Sequence, residues 1–310
     1  MRRSYKVACL AGDGHGPELM AEATRALRKV ARMHGFAIED VHVPFGREAL
    51  TRSGHPLPAT TRGAVLDADA VLVVNDSEPA FAGIAAQLDL RARLTQVLCT
   101  RSDVLLLSPL DESDEGWTVE RAFAVAGRRR GRIVFIEDDT RWTAFVDESG
   151  SRPNLVRVDQ VGLADTMRAL AFEPRPLDLV VTAKAVAPAL EELAAGSDGD
   201  DRLVAVARLA GNGPSIFAPA GSLSPDDAGH GVADPSSMLL AVSLLLREGL
   251  HEAHAAETLW AALRHSRVNG SRPAAMRRTL TATTRDCGDS VVSLLGVWHR
   301  NAEFVPESAA

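Results

Sequence analysis

The chain of 310 residues is poor in several chemically useful side chains: it has one tyrosine, three cysteines and few aromatic residues, 5% in all. The only phenol is Tyr5, close to the N-terminus. Lysine is confined to Lys6, Lys29 and Lys184, so the basic side chains are almost wholly arginine. Cys9, Cys99 and Cys287 are widely separated and show no CxxC spacing, which argues against both a disulfide framework and a zinc site and suits a reducing cytoplasm. The opening MRRSYKVACLAGDG has an apolar run of only a few residues before Gly12 and Asp13, too short for a signal peptide or a membrane span. No internal repeat is present.

Positive charge is also in short supply. A formal charge of -7 and a pI near 5.7 argue against a general polyanion binder, so no nucleic acid partner is expected. The run Arg128, Arg129 and Arg130 reads as a solvated helix end, where cations are favourable. What remains is ordinary globular usage, 46% hydrophobic and 24% charged, enough for two domains or one large α/β unit.

Alternation of strand and helix patterns points to an α/β fold with a large, partly parallel sheet. Lys6 to Ala11 reads as a strand, followed by GDGHGPE and a helix through Leu19, Ala23, Leu27 and Val30. Further strands are expected at Ala70 to Val74, Val104 to Leu107, Arg132 to Ile136, Leu155 to Val158, Leu179 to Thr182 and Ser215 to Ala218. Helices are expected at Thr118 to Arg128, Val161 to Ala171, Ala187 to Ala195, Ser236 to Arg247 and Ala255 to Ser266. Gly196 to Asp201 reads as a mobile loop and Pro306 to Ala310 as a frayed tail.

Taken alone, Gly12, Gly14 and Gly16 fit a phosphate loop or merely a tight strand-to-helix turn. GDGHGPE, however, resembles the GDGIGPE opening of the isocitrate/isopropylmalate dehydrogenases, and the resemblance continues in order. FGREALTRSGHPLPATTRGAVLDADAVLVV is similar to the family's segment with a G-x-PLP turn, and LDLRARLTQVLCTR to its LxLRxxLxLxxxxR segment, read as a helix. FAPAGSLSPDDAGHGVADP resembles, without a gap, the cofactor loop FEPVHGSAPDIAGKGIANP.

The resemblance implies a two-domain isopropylmalate dehydrogenase-like fold: residues 1–100 with 236–310 as a discontinuous nucleotide-side domain, and 101–235 as an inserted domain for dimerisation and substrate. It implies an active site in a cleft and a homodimer, or a heteromer with an intact paralogue. The implied reaction takes hydride from a 2-hydroxy acid to NAD or NADP, after which a divalent metal holds the 2-oxo acid during decarboxylation.

On this resemblance Arg91 and Arg101 would clamp a small carboxylate ligand, because arginine meets carboxylates with a two-pronged fork. Gly14, Asp226, Gly229, Gly231 and Asp234 would bind the cofactor, with Asp226 on the ribose favouring NAD. The loop's histidine has become Gly221, the Asn before its final proline has become Asp234, and His15 and His230 are substitutions in exposed loops. Of three metal-binding aspartates, Asp165 resembles the first, while Pro188 and Glu192 stand at the other two positions. A site for Mg²⁺ or Mn²⁺ built from Asp165 and Glu192 is expected to be incompetent.

Other family groups are missing. LLLSPLDE, from Leu105 to Glu112, replaces the strand carrying a third arginine. The chain then runs through DESDEGW directly into a helix, so the acid/base tyrosine and much of a dimer arm are absent. Asp138 falls at the position of a catalytic lysine, for which Lys184 lies elsewhere in the pattern, and Ile84 replaces a glutamate near the nicotinamide. The expectation is a divergent relative that has lost oxidative decarboxylation and keeps a nucleotide or carboxylate site. Two alternatives stand beside it: an active NAD-dependent dehydrogenase for an unusual 2-hydroxy acid, and a purely structural subunit.

Overall fold

A computed structural model describes residues 3–75, 80–99, 102–136, 142, 156–172, 177–196, 202–220, 229–269 and 282–302. The expected loop at Gly196 to Asp201 falls, beyond Gly196, outside the described residues, and the expected tail lies wholly outside them. The chain forms two compact units, Met1–Asp89 with Asn212–Ala310, and Leu90–Gly211. Among the described residues no helix is long and apolar enough to cross a membrane.

In chain order the first unit begins with β1 (Ser4–Leu10), α1 (Gly16–Met33), β2 (Ala37–His42), α2 (Gly46–Ser53), α3 (Ala59–Leu66), β3 (Ala70–Val73) and α4 (Phe81–Ala85). The second unit holds β4 (Leu90–Leu98), β5 (Asp103–Pro109), α5 (Glu115–Gly127), β6 (Arg132–Ile136), β7 (Arg157–Val161), α6 (Leu163–Phe172), β8 (Leu179–Val181), α7 (Ala187–Gly196) and β9 (Leu203–Ala210). The chain then returns to the first unit with β10 (Ser215–Pro219), α8 (Ser236–Leu244), α9 (Ala253–Asn269) and α10 (Thr284–Ala302).

The first unit's strands run in the order β2, β1, β3, β10, and every pairing is parallel. A parallel strand covered on both faces needs apolar side chains in both directions. KVACL supplies them: Val7, Ala8, Cys9 and Leu10 are all at most 1% exposed. Pro17 sits in the first turn of α1, where a missing N–H does no harm, and Leu19, Ala23, Leu27 and Val30 line its buried stripe. After α8 the helix widens into a π turn over Leu245–Gly249, and Gly249 leaves room for Phe217, whose ring atom would lie 2.9 Å from an added Cβ.

The second unit orders its strands β9, β4, β5, β8, β6, β7, antiparallel on either side of β4 and parallel from β5 onward. Here one expectation is overturned: LRARLTQVL, Leu90–Leu98 of the segment read as a helix, is strand β4. With β5 on one edge and β9 on the other, Ala92 to Leu98 pair on both sides, and Leu94 to Leu98 are buried on both faces. A run buried at every position carries no helical signature, and the β-branched Thr95 and Val97 suit a strand. Because β4 and β9 pair along their lengths, the units part at Asp89/Leu90 and Gly211/Asn212 rather than at 100/101 and 235/236.

The arginine run also departs from its reading as a solvated helix end. Arg128 and Arg130 are exposed, but the Arg129 side chain is 4% exposed and lies between two buried carboxylates. Its Nη2 donates to Asp103 Oδ2 at 3.0 Å and its Nε to Asp178 Oδ1 at 2.9 Å. Gln96 and the Arg130 amide supply further donors to these acids. Asp103 opens β5 and Asp178 precedes β8, so the ion triad ties the N-terminal ends of two parallel strands to the end of α5.

Candidate functional site

In the first unit the GDGHGPE turn is built by glycines with different duties. Gly12 and Gly14 have φ of 66° and 64°, which side-chain-bearing residues rarely adopt. Gly16 has an ordinary φ but no space: a Cβ there would lie 1.9 Å from the Ala11 carbonyl oxygen. Asp13 accepts the amides of Arg47 at 2.7 Å and Glu48 at 3.1 Å, capping α2 from a distant part of the chain.

That arrangement makes the N-terminus of α1 a poor phosphate cradle. Gly16 donates its N–H to Asp13 O, Leu19 donates to His15 O, and Pro17 has none to give. His15, read as an exposed loop residue, is only 4% exposed. Its Nε2 and both carboxylate oxygens of Glu18 are buried, with no hydrogen-bond partner among the described residues. Buried polar atoms of this kind ordinarily meet a water or a ligand. Glu18 closes the GDGHGPE motif but was not singled out from the sequence. Gly14 itself is exposed with open space where a Cβ would stand.

The second loop of this unit is described from Gly229 onward, so Asp226 lies outside the described residues. Gly229 and Gly231 have φ of 80° and 66°, with nothing within 4 Å of an added Cβ, so the backbone there could be approached closely by a ligand. His230 between them is exposed. Asp234 is engaged by the fold. One oxygen accepts the Ser236 amide at 2.9 Å at the start of α8, and the other accepts Arg267 Nη1 at 2.8 Å. Thr284 adds two bonds of 2.7 Å, to Gly231 O and Ala233 O. Ile84, at the position read for a glutamate, is a core residue 2% exposed.

In the second unit Arg91 stands where the register between β4 and β9 slips. Leu90 pairs with Ala210 and Ala92 with Leu209, which leaves Arg91 as the extra residue of a bulge. Bulges re-aim side chains. The Arg91 side chain is 36% exposed and meets Asp114, Nη1 to Oδ1, at 3.4 Å. Two residues on, Arg93 forms a two-armed pair with Glu191 of α7. Arg101 lies outside the described residues.

The metal candidates occupy α6 and α7, which pack together through Leu170, Leu190 and Ala194. Asp165 is largely exposed and pairs with Arg168 at 3.0 Å. Residues four apart share a helix face, so positions 188 and 192 could present two carboxylates to one cation. Here Pro188 has no side-chain oxygen to offer, and Glu191, next to Glu192, is held by Arg93. Glu192 is exposed. Among the described residues no three His, Cys, Asp or Glu side chains are grouped to hold a metal ion. Of the three family positions, this chain has carboxylates at two, Asp165 and Glu192. Lys184 is exposed on the turn before α7, and Asp138 lies outside the described residues.

A family model for isocitrate/isopropylmalate dehydrogenase matches residues 6–101 and 135–291. The chain belongs to that family. The dehydrogenase match passes over residues 102–134, where the third arginine and the tyrosine were expected and where β5 and α5 stand instead. Among curated relatives, a 3-isopropylmalate dehydrogenase of Salinibacter ruber is 29% identical over 366 residues, covering 99% of this chain and 98% of that one. Another, from Synechococcus sp. (strain CC9605), is 29% identical over 84% of this chain and 90% of its own. A crystal structure of a beta-decarboxylating dehydrogenase from Thermococcus kodakarensis has the same fold, with a TM-score of 0.81 at 21% identity, covering 98% of this chain and 99% of that one. An isocitrate dehydrogenase from Methylococcus capsulatus matches with a TM-score of 0.71 and 19% identity, over 94% and 99% of the two chains.

Proposed function

We propose that this chain is a divergent family member that binds a nucleotide and a small carboxylate but no longer carries out metal-dependent oxidative decarboxylation. The observation that carries the reading is on α7. The helical face that should offer two carboxylates offers Pro188 and Glu192, while the neighbouring Glu191 is consumed by Arg93. A cation that prefers six oxygen ligands would find one carboxylate there. The only tyrosine does not compensate: Tyr5 lies on β1 and donates its hydroxyl to Glu252 at 2.7 Å.

The binding half of the reading rests on Gly14, Gly229 and Gly231 for NAD, with Asp226 on the ribose, and on Arg91 with Arg101 for the carboxylate. NAD would supply hydride chemistry when bound. The chain's own residues would position the ligand. In solution the protein is a homodimer, or a heteromer with an intact paralogue, on the same reading.

The test is direct. Purified protein with NAD or NADP, Mg²⁺ or Mn²⁺, and isocitrate, isopropylmalate, malate or tartrate should produce no reduced cofactor, while NAD alone raises the melting temperature and Asp226→Ala abolishes that rise. Robust turnover would sink the proposal. It would favour a second reading, an active NAD-dependent dehydrogenase of an unusual 2-hydroxy acid, which the 3-isopropylmalate dehydrogenase names of the relatives support.

A further inference from the structure

The loop that carries Gly229 and Gly231 is held from one side by the start of α10. Thr283 and Asp286 close a capping box there: the Thr283 N–H donates to Asp286 Oδ2 at 2.9 Å, and the Asp286 N–H donates to Thr283 Oγ1 at 3.1 Å. Thr284, the first residue of α10, is 4% exposed. Its N–H is one of the donors that a helix leaves unpaired in its first turn. Here it donates to Gly231 O at 2.7 Å, and the Thr284 hydroxyl donates to Ala233 O, also at 2.7 Å. A single residue therefore holds two alternate carbonyls of the loop.

A trans peptide carries its C=O and its N–H on opposite sides. With the carbonyls of Gly231 and Ala233 turned to Thr284, the N–H groups of Val232 and Asp234 are turned away from it. Neither N–H meets an acceptor among the described residues, and both residues are half-buried. Peptide donors removed from water are nearly always paired, so two unmatched N–H groups on one side of a loop suit the acceptor atoms of a ligand. The Asp234 side chain is engaged inside the fold, one oxygen with the Ser236 amide and the other with Arg267. What this residue leaves unmatched is its backbone N–H.

We infer that Thr284 is a positioning residue for nucleotide binding: by taking the carbonyls of Gly231 and Ala233 it presents the N–H groups of Val232 and Asp234 to acceptor atoms of the nucleotide. This rests on the reading of the loop as the nucleotide site. A loop fixed beforehand in its binding geometry loses less conformational freedom when the ligand arrives. The N–H of Thr284 would reach Gly231 O from any residue other than proline at that position. The hydroxyl on Ala233 O is the part that depends on the side chain.

Amide exchange and calorimetry on the full chain test it together. In the wild-type protein, followed by NMR, the Val232 and Asp234 amides should exchange at least about tenfold more slowly in saturating NAD than without it. Thr284→Val keeps the shape and the N–H but removes the hydroxyl, and should bind NAD about threefold to tenfold more weakly, the effect of one hydrogen bond. Thr284→Ser keeps the hydroxyl and should restore the affinity. If NAD binds the wild type and leaves both amides unprotected, the inference is wrong and the nucleotide site stands; this result does not depend on whether the valine variant folds. If Thr284→Val lowers the melting temperature but binds NAD as tightly as wild type, Thr284 is structural only and the inference is again wrong. If the wild type does not bind NAD, the nucleotide reading fails and the inference falls with it.

Discussion

The Arg93 guanidinium holds the Glu191 carboxylate with two arms, Nε to Oε1 at 2.9 Å and Nη2 to Oε2 at 3.0 Å. Neither side chain is more than 29% exposed, so solvent screens the pair only in part. It fastens α7 to β4, and it removes one of two adjacent glutamates from any ligand role. Glu191→Gln keeps the shape but loses the charge and should lower stability by about 1–2 kcal/mol, read from urea unfolding. A double-mutant cycle with Arg93→Ala should return most of that loss as coupling energy; additive effects would show that the pair contributes nothing.

The Arg129 triad should be the more sensitive ion cluster. Its side chain is 4% exposed and its partners Asp103 and Asp178 are 7% and 2% exposed. Replacing Arg129 by methionine leaves two buried carboxylates facing one another, and removal of one buried partner costs about 3–5 kcal/mol. Chemical denaturation of Arg129→Met should show that loss, while Arg128→Met, at an exposed neighbour, should stay within about 0.5 kcal/mol of wild type.

Gly14 and Gly16 should answer differently to the same substitution. Gly16→Ala drives a Cβ to 1.9 Å from the Ala11 carbonyl oxygen, so the turn must move, with an expected loss of more than about 2 kcal/mol. Gly14→Ala meets no atom within 4 Å and bears only the cost of its positive φ, about 1 kcal/mol. Melting temperatures of the two variants should therefore be well separated, and equal losses would contradict the geometry.

Burial pushes the Cys9 and Cys287 thiols up from an ordinary 9.0 to about 12. With the folded pKa raised, the native protein keeps protons that the unfolded chain releases. The associated stability is complete below pH 9.0, the ordinary thiol value, and is lost as pH rises through 9.0 toward about 12. Urea midpoints should fall above pH 9.0, and Cys9→Ala with Cys287→Ala should flatten that fall. Iodoacetamide at about pH 8 should label neither thiol in the folded protein, because the thiolate is the reactive form; labelling at the unfolded rate would contradict the buried placement.

Much of the fold was legible in local sequence because each signal rests on neighbours along the chain. Leu19, Ala23, Leu27 and Val30 repeat at helical spacing, and KVACL is apolar on both faces. The site was legible only as a set of candidate positions. Nothing near Arg91 in sequence says that it will stand on a bulge, because the bulge depends on the register with β9. Asp234 invited a ligand role, but its partner Arg267 comes from a different helix. His15 looked solvent-facing because its burial depends on what packs over the turn.

By itself the sequence determined the family, the strand-and-helix alternation, and the absence of a second tyrosine. These follow from residue identity and short-range periodicity, which no packing can alter. Tertiary structure decided that LRARLTQVL is a strand, that Arg129 is buried between Asp103 and Asp178, and that Arg91 faces Asp114. Each outcome depends on strands and loops distant in the chain. Hydrogen-bond ladders and paired charges are satisfied only when those partners arrive, so the same arginine-rich text could have remained on the surface.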